Sequence, residues 1–340
     1  VDALFKTIKN LKEEKNISFI YITHRLQELF DIVDNLTILK NGEVVSEGSI
    51  EDYTLENIIK IMVPTVTEND IKKEKISIEE IAKEEEEVFE ENIREKSDKY
   101  VLEVEHMAGK GFFDVSLKIL QGEILGLTGV VGSGRTEFAE ALFGITRKLS
   151  GKIILEGKEI EIKSPKYAVK HGIVYLPEDR HLHGGFLNAS IKENISSSIL
   201  FKIFKVFLNE KKEKGLAREF IDMLNIKTVG ENQKIMYLSG GNQQKVVLGK
   251  WLATLPKVLI LDEPTRGIDA NARKEIYAII RKLSKKGLSI LLISSDFEEI
   301  VTLSDKVVVM YHGRTIAEIE PPDITLENIT FASFGYLKGA

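Results

Sequence analysis

The sequence predicts an α/β fold with a mostly parallel core sheet, a small antiparallel β layer and an inserted helical lobe. Four short apolar runs, at 124–128, 173–176, 258–261 and 290–294, have the unbroken hydrophobicity of strands covered on both faces. Glycine-rich turns open helical patterns twice, at 129–136 and at 239–241. The lobe is predicted for about 187–253, where 216–224 is the clearest amphipathic piece.

The chain has 340 residues, too many for one typical domain. At 43% hydrophobic and 29% charged, its composition is that of folded globular material. No apolar run reaches the length of a membrane span, and 199–208, the nearest, is interrupted by Lys202 and Lys205. Cysteine is absent, which excludes disulfides and fits a reducing compartment. Of the net charge of −6, all is carried by 68–99, with 13 acidic and 7 basic residues; the remainder balances at 40 of each. Nothing in that balance advertises a nucleic-acid surface.

An internal repeat organises the chain. NISFIYITH at 16–24 aligns with GLSILLISS at 287–295, and TLENI at 54–58 aligns with TLENI at 325–329, both at a shift of 271. The expected organisation is therefore 1–63 as the end of a first module, 64–99 as an acidic, solvated linker with helical spacing through Ile78, Ile81, Val88 and Phe89, and 100–340 as a complete second module. The chain reads as a fragment whose first module has lost its N-terminal part. Small antiparallel strands are expected at 101–104, 115–119 and 153–155.

The sequence GVVGSGRT at 129–136 follows the first apolar run and precedes a helix. Gly129, Gly132 and Gly134 let backbone N–H groups turn inward, and the helix N-terminus adds positive potential, so the loop is a phosphate cradle. It matches the G-x-x-x-x-G-K-[ST] pattern except that Arg135 replaces the lysine. The apolar run 258–261 ends in Asp262 and Glu263. In such a setting the first acid and the Thr136 hydroxyl hold magnesium, and the second acid polarises an attacking water. Ser239-Gly240-Gly241-Asn242 opens a helix expected over 242–253 and forms a second anion site.

The set 129–136, 238–246 and 261–269 resembles the nucleotide-binding subunit of ABC transporters, with its Walker A, signature, Walker B and D-loop motifs in order. GVVGSGRTE at 129–137, LPEDR at 176–180 and SGGNQQK at 239–245 resemble the second half of the tandem ATPases of simple-sugar importers. Nucleoside importers share much of this pattern.

The resemblance implies a P-loop NTPase fold of ABC type and ATPase activity. It implies ATP and Mg2+ as cofactors and transmembrane permease subunits as partners, with an extracytoplasmic sugar-binding protein involved indirectly. The place implied is peripheral, on the cytoplasmic face of the cell membrane. Two modules would pair head to tail, so that each ATP lies between one P-loop and the other module's signature. Ser133, Arg135 and Glu137 join the glycines around the phosphates, Glu178 stands at the Q-loop glutamine position, and Asp269 lies in the D-loop. Ser239, Gly240, Gly241 and Asn242 would close on the γ-phosphate.

His24 stands where the family's switch histidine sits, and its repeat counterpart is Ser295. The resemblance therefore implies two unequal sites, with the Arg135 site binding nucleotide and hydrolysing it slowly or not at all. The fragment alone would have low activity. Phe112 or Phe113 could stack on adenine. His181 and His183 are expected on a surface loop. A soluble tandem ABC ATPase acting on ribosomes or nucleic acid is the rival reading, disfavoured by the acidic linker.

Overall fold

A computed structural model describes residues 2–23, 26–40, 42–63, 66, 68–84, 97–200 and 210–336. Its first part comprises α1 (Asp2–Lys15), α2 (Leu26–Ile32), the hairpin β1 (Asn35–Lys40) and β2 (Glu43–Ser49), and α3 (Leu55–Met62). Leu26, Leu29, Leu36, Ile38, Ile58 and Ile59 close a small core that includes Phe331 from the far end of the chain.

By its alignment with 287–295 the run at 16–24 would be a strand, yet none forms across 16–23. Ile20 and Ile22 are 95% and 91% exposed. The equivalent run near 290 is bonded on both sides by parallel strands. The described residues of 1–63 contain no counterpart of either neighbouring strand, so no sheet forms around this run.

The linker is helical over part of its length, but that part is packed rather than a solvated tether. Residues 68–84 form α4 (Glu68–Glu84), and Ile71, Ile78 and Ala82 are buried in the main core. Their spacing of seven and four puts them on one helical face, so a charged helix carries an apolar stripe. Residues 85–96 and the segment 201–209, which includes most of the 199–208 run, lie outside the described residues.

The second module follows. β3 (Ser97–Gly109), starting three residues before the expected boundary, pairs antiparallel with β4 (Phe112–Gln121). Then come β5 (Ile124–Thr128), α5 (Arg135–Phe143), β6 (Ser150–Leu155), β7 (Lys158–Ile160), α6 (Pro165–His171) and β8 (Ile173–Leu176). A π turn (Arg180–Gly184) leads to the lobe helices α7 (Ile191–Ser197), α8 (Glu210–Met223) and α9 (Gly240–Leu252). The chain closes with β9 (Val258–Asp262), α10 (Ala270–Lys285), β10 (Ser289–Ile293), α11 (Phe297–Leu303), β11 (Lys306–Tyr311), β12 (Arg314–Ile319) and α12 (Leu326–Ser333).

The sheet runs β7-β6-β3-β4-β12-β11-β5-β10-β9-β8. β11, β5, β10, β9 and β8 are parallel, which covers all four apolar runs. The antiparallel layer joins this core through one bridge between β12 and β4, Arg314 to Asp114. Every residue of β5, β8, β9 and β10 is buried, as strands roofed by helices require.

The repeat is visible in the elements. α2 and α11, the hairpins β1–β2 and β11–β12, and α3 and α12 correspond, each at the shift of 271. Both hairpins carry a bulge at the same place, Ile38/Leu39 and Val309/Met310. Thr54 and Thr325 each cap their helix by accepting from the N–H three residues on, at 3.2 Å. Thr54→Ala and Thr325→Ala are each expected to lower stability by about 1 kcal/mol, read by urea denaturation.

Candidate functional site

The loop 129–136 runs from the end of β5 into α5. Gly129 has φ +151, and a β-carbon there would sit 2.2 Å from the Met310 carbonyl oxygen. Gly134 caps α5 in the left-handed region, where a β-carbon would meet the Gly111 carbonyl at 2.6 Å. The loop therefore threads between the β3–β4 turn and the end of β11, and only glycine fits at those two positions. Ser133 is buried, with its hydroxyl unpartnered. Gly132 faces open space and Glu137 is exposed.

Arg135 is the first residue of α5 and is buried. Its Nη1 donates to the Ser294 carbonyl at 2.6 Å, beyond the end of β10. Burial works against its charge, while Glu263, Asp262 and Glu137 support it. The Thr128 hydroxyl donates to the same carbonyl at 2.9 Å. Thus β5, α5 and the segment after β10 meet at one oxygen.

Asp262 ends β9 and is fully buried. Burial pushes its carboxyl up to about 6, against the pull of the nearby Tyr175 and Thr136 hydroxyls. The Tyr175 hydroxyl donates to Oδ2 at 2.8 Å, and Oδ1 is unpartnered. A buried carboxylate with a free oxygen beside a threonine hydroxyl suits a hard cation that takes its other ligands from phosphate and water. Thr136 and Asp262 would hold Mg2+ there. Glu263 takes φ +48, and its Oε1 accepts from the Ser295 N–H at 2.7 Å. The candidate water-polarising acid is thereby fixed at the position equivalent to His24. His24 itself lies outside the described residues.

The second group lies at the start of α9. Ser239 is its N-cap residue, and the Ser239 hydroxyl accepts from Asn242 Nδ2 at 2.8 Å rather than from the helix backbone. Asn242 Oδ1 accepts from the Lys227 N–H at 2.9 Å. Gly241 allows α9 to cross α10, because a β-carbon would come 2.5 Å from Ala272. Asp269 caps α10, accepting from the Ala272 N–H at 3.0 Å. Glu178 makes an ion pair with Arg266. Among the described residues, no hydrogen bond or ion pair joins 129–136 to 239–242. The two groups are separate within 100–340.

Residues 112–266 match the family described as ABC transporter. That stretch is similar to an ABC transporter domain. Over 335 residues it is 41% identical to the ribose import ATP-binding protein RbsA of Caldanaerobacter subterraneus, covering 98% of this chain and 64% of that protein. It is 36% identical to RbsA of Halalkalibacterium halodurans, with the same shares covered. The chain thus spans 64% of the length of these curated relatives. In fold it is similar to an ATP-binding cassette of an ABC transporter in its ADP conformation, with a TM-score of 0.58 at 23% identity. That match covers 68% of this chain and 94% of the other. It is also similar to cbiO1 from Clostridium perfringens, part of the ABC transporter complex cbiONQ. There the TM-score is 0.58 at 25% identity, covering 69% and 94%.

Several contacts around these groups escape a reading of the sequence. Tyr175 reads as one more apolar strand residue, yet it lies beside β9, in register with Ile260, and reaches Asp262. Glu299, buried in α11, accepts from the Thr265 hydroxyl at 2.8 Å and is pushed up to about 7, chiefly by burial. Of the two phenylalanines, Phe112 is withdrawn into the core edge-on to Phe138, whereas Phe113 is 60% exposed beside Gly313. That removes Phe112 as an adenine platform. Among the described residues no helix is long and apolar enough to cross a membrane.

Proposed function

We propose that this chain belongs to the ATP-binding subunit that powers import of a simple sugar through a membrane permease. The RbsA relatives support that substrate class, since the likeness runs through nearly the whole chain. In this reading 129–136 cradles the phosphates of ATP, with Ser133, Arg135 and Glu137 beside the glycines. Magnesium, when bound, neutralises phosphate charge there, held by Thr136 and Asp262. Glu263 orients the attacking water. Ser239, Gly240, Gly241, Asn242 and Asp269 serve the nucleotide of a module paired head to tail, and Glu178 faces the permease. The working place is the cytoplasmic face of the membrane.

We further propose that the Arg135 site holds ATP and hydrolyses it slowly. The observation that carries this is the bond from Arg135 to the Ser294 carbonyl. It ties the phosphate-loop cation to the segment that also fixes Glu263. A lysine has no planar fork, is a compact point charge and would be freer to follow the phosphates. Ser295 offers a backbone N–H to Glu263 and no imidazole to the γ-phosphate. Single-turnover hydrolysis tests this. Arg135→Lys is expected to raise the rate about tenfold or more, and Glu263→Gln to abolish it in that variant. Fast hydrolysis by the unaltered chain, lost in Glu263→Gln, would refute the slow-site reading.

A further inference from the structure

The segment that leaves β8 is fastened to the turn that leaves β9. Glu178 pairs with the Arg266 side chain. Two residues on, Arg180 Nη1 donates to the Arg266 carbonyl at 2.9 Å, and Nη2 lies 3.5 Å from the Gly267 carbonyl. Gly267 takes φ +69 at this turn. The same guanidinium borders the start of α9, where a β-carbon at Gly240 would come 3.0 Å from Nη2. The π turn that follows Arg180 packs on the lobe. A β-carbon at Gly184 would meet Val247 of α9 at 3.3 Å, and one at Gly185 would meet Ile235 at 2.9 Å. One side chain therefore links its own segment to two others that are far apart in sequence.

We propose that Arg180 is a positioning residue that holds the 264–269 turn and the first residues of α9 in register with the segment after β8. The proposal rests on the function above, in which Ser239, Gly240 and Asp269 face the nucleotide of a paired module and Glu178 faces the permease. Arg180 is then the link that carries a displacement of 178–184 to both groups at once. The chemistry suits the task. A guanidinium is always charged, presents planar forked donors, and bonds carbonyls more strongly than a neutral donor does. Lysine is a single point charge and can reach one carbonyl at a time.

Hydrogen–deuterium exchange on the whole chain tests the link, with ATP binding measured on the same samples. The Arg266 N–H donates to the Glu263 carbonyl and the Ile268 N–H to the Thr265 carbonyl, both at 3.2 Å, so these amides report on the turn. Arg180→Gln is expected to speed their exchange roughly tenfold, leaving the amides of β5 and β9 and the affinity for ATP unchanged. Arg180→Lys, which keeps the charge without the fork, is expected to recover part of the protection. Unchanged exchange at Arg266 and Ile268 would overturn the proposal. So would a rise spread evenly over β9 and α9, which would mark a general packing role. If Arg180→Gln does not fold, Arg180→Lys alone decides, by whether its excess exchange is confined to the turn. Failure of the unaltered chain to bind ATP would refute the nucleotide reading and leave the exchange result to stand by itself.

Discussion

Gly129→Ala is expected to destabilise the protein by about 3 kcal/mol and to abolish ATP binding. The added methyl would lie 2.2 Å from the Met310 carbonyl oxygen and 2.9 Å from the Ser133 hydroxyl. The first neighbour is backbone at the end of β11, so it cannot turn aside as a side chain would. The φ of +151 adds strain that a residue with a β-carbon relieves only by moving the loop. Movement there displaces Ser133 and the inward N–H groups together. Urea denaturation reads the first effect, and calorimetric titration with ATP reads the second. Gly132→Ala is the useful contrast, since its β-carbon meets nothing within 4 Å. That variant keeps the strain of φ +80 without the collision and should lose less stability.

Asp262→Asn should move stability and ligand binding in opposite directions. The folded-state pKa of Asp262, about 6, lies above its usual 3.8 because burial opposes ionisation. The folded protein therefore holds this proton more tightly than the unfolded chain does. The associated stability is fully present below about pH 4 and is lost as pH rises through 6. The loss amounts to about 3 kcal/mol. Asparagine does not ionise, so the pH dependence of ligand-free stability should flatten between pH 4 and 6. Glu299, raised from 4.5 to about 7, keeps a slope of the same sign in the variant. At pH 7.5 the variant should equal or exceed the unaltered protein in stability without ligand. It should gain none of the added stabilisation that magnesium brings to the ATP-bound protein. Parallel slopes in both proteins would contradict the assignment of a buried, costly charge.

Much of this architecture is legible in the residues because local pattern and global position agree. The runs at 124–128, 173–176, 258–261 and 290–294 are unbroken in hydrophobicity, and each proves to be a strand with parallel neighbours. The loop 129–136 and the turn 239–241 declare themselves through glycine and serine at fixed spacing. The repeat survives down to a bulge and a threonine cap. What escapes is whatever depends on a neighbour distant in sequence. The apolar run at 16–23 has a strand's composition, but a strand also needs neighbouring strands. The abundance of glutamate and lysine in α4 hides Ile71 and Ala82, and the burial of both with Ile78 follows from α10 and α11 lying opposite. Tyr175 and Asp262 meet through the register of adjacent strands, and the reach of Arg135 and Arg180 depends on where two other turns arrive.

Isothermal titration of the chain with ATP, with and without magnesium, tests the central claim most directly. A single class of site is expected on the unaltered chain, tightened by magnesium. Gly129→Ala should abolish that binding, and Asp262→Asn should remove its dependence on magnesium. Binding that survives Gly129→Ala unchanged, or no binding by the unaltered chain, would contradict the assignment of 129–136, Thr136 and Asp262 as the nucleotide seat.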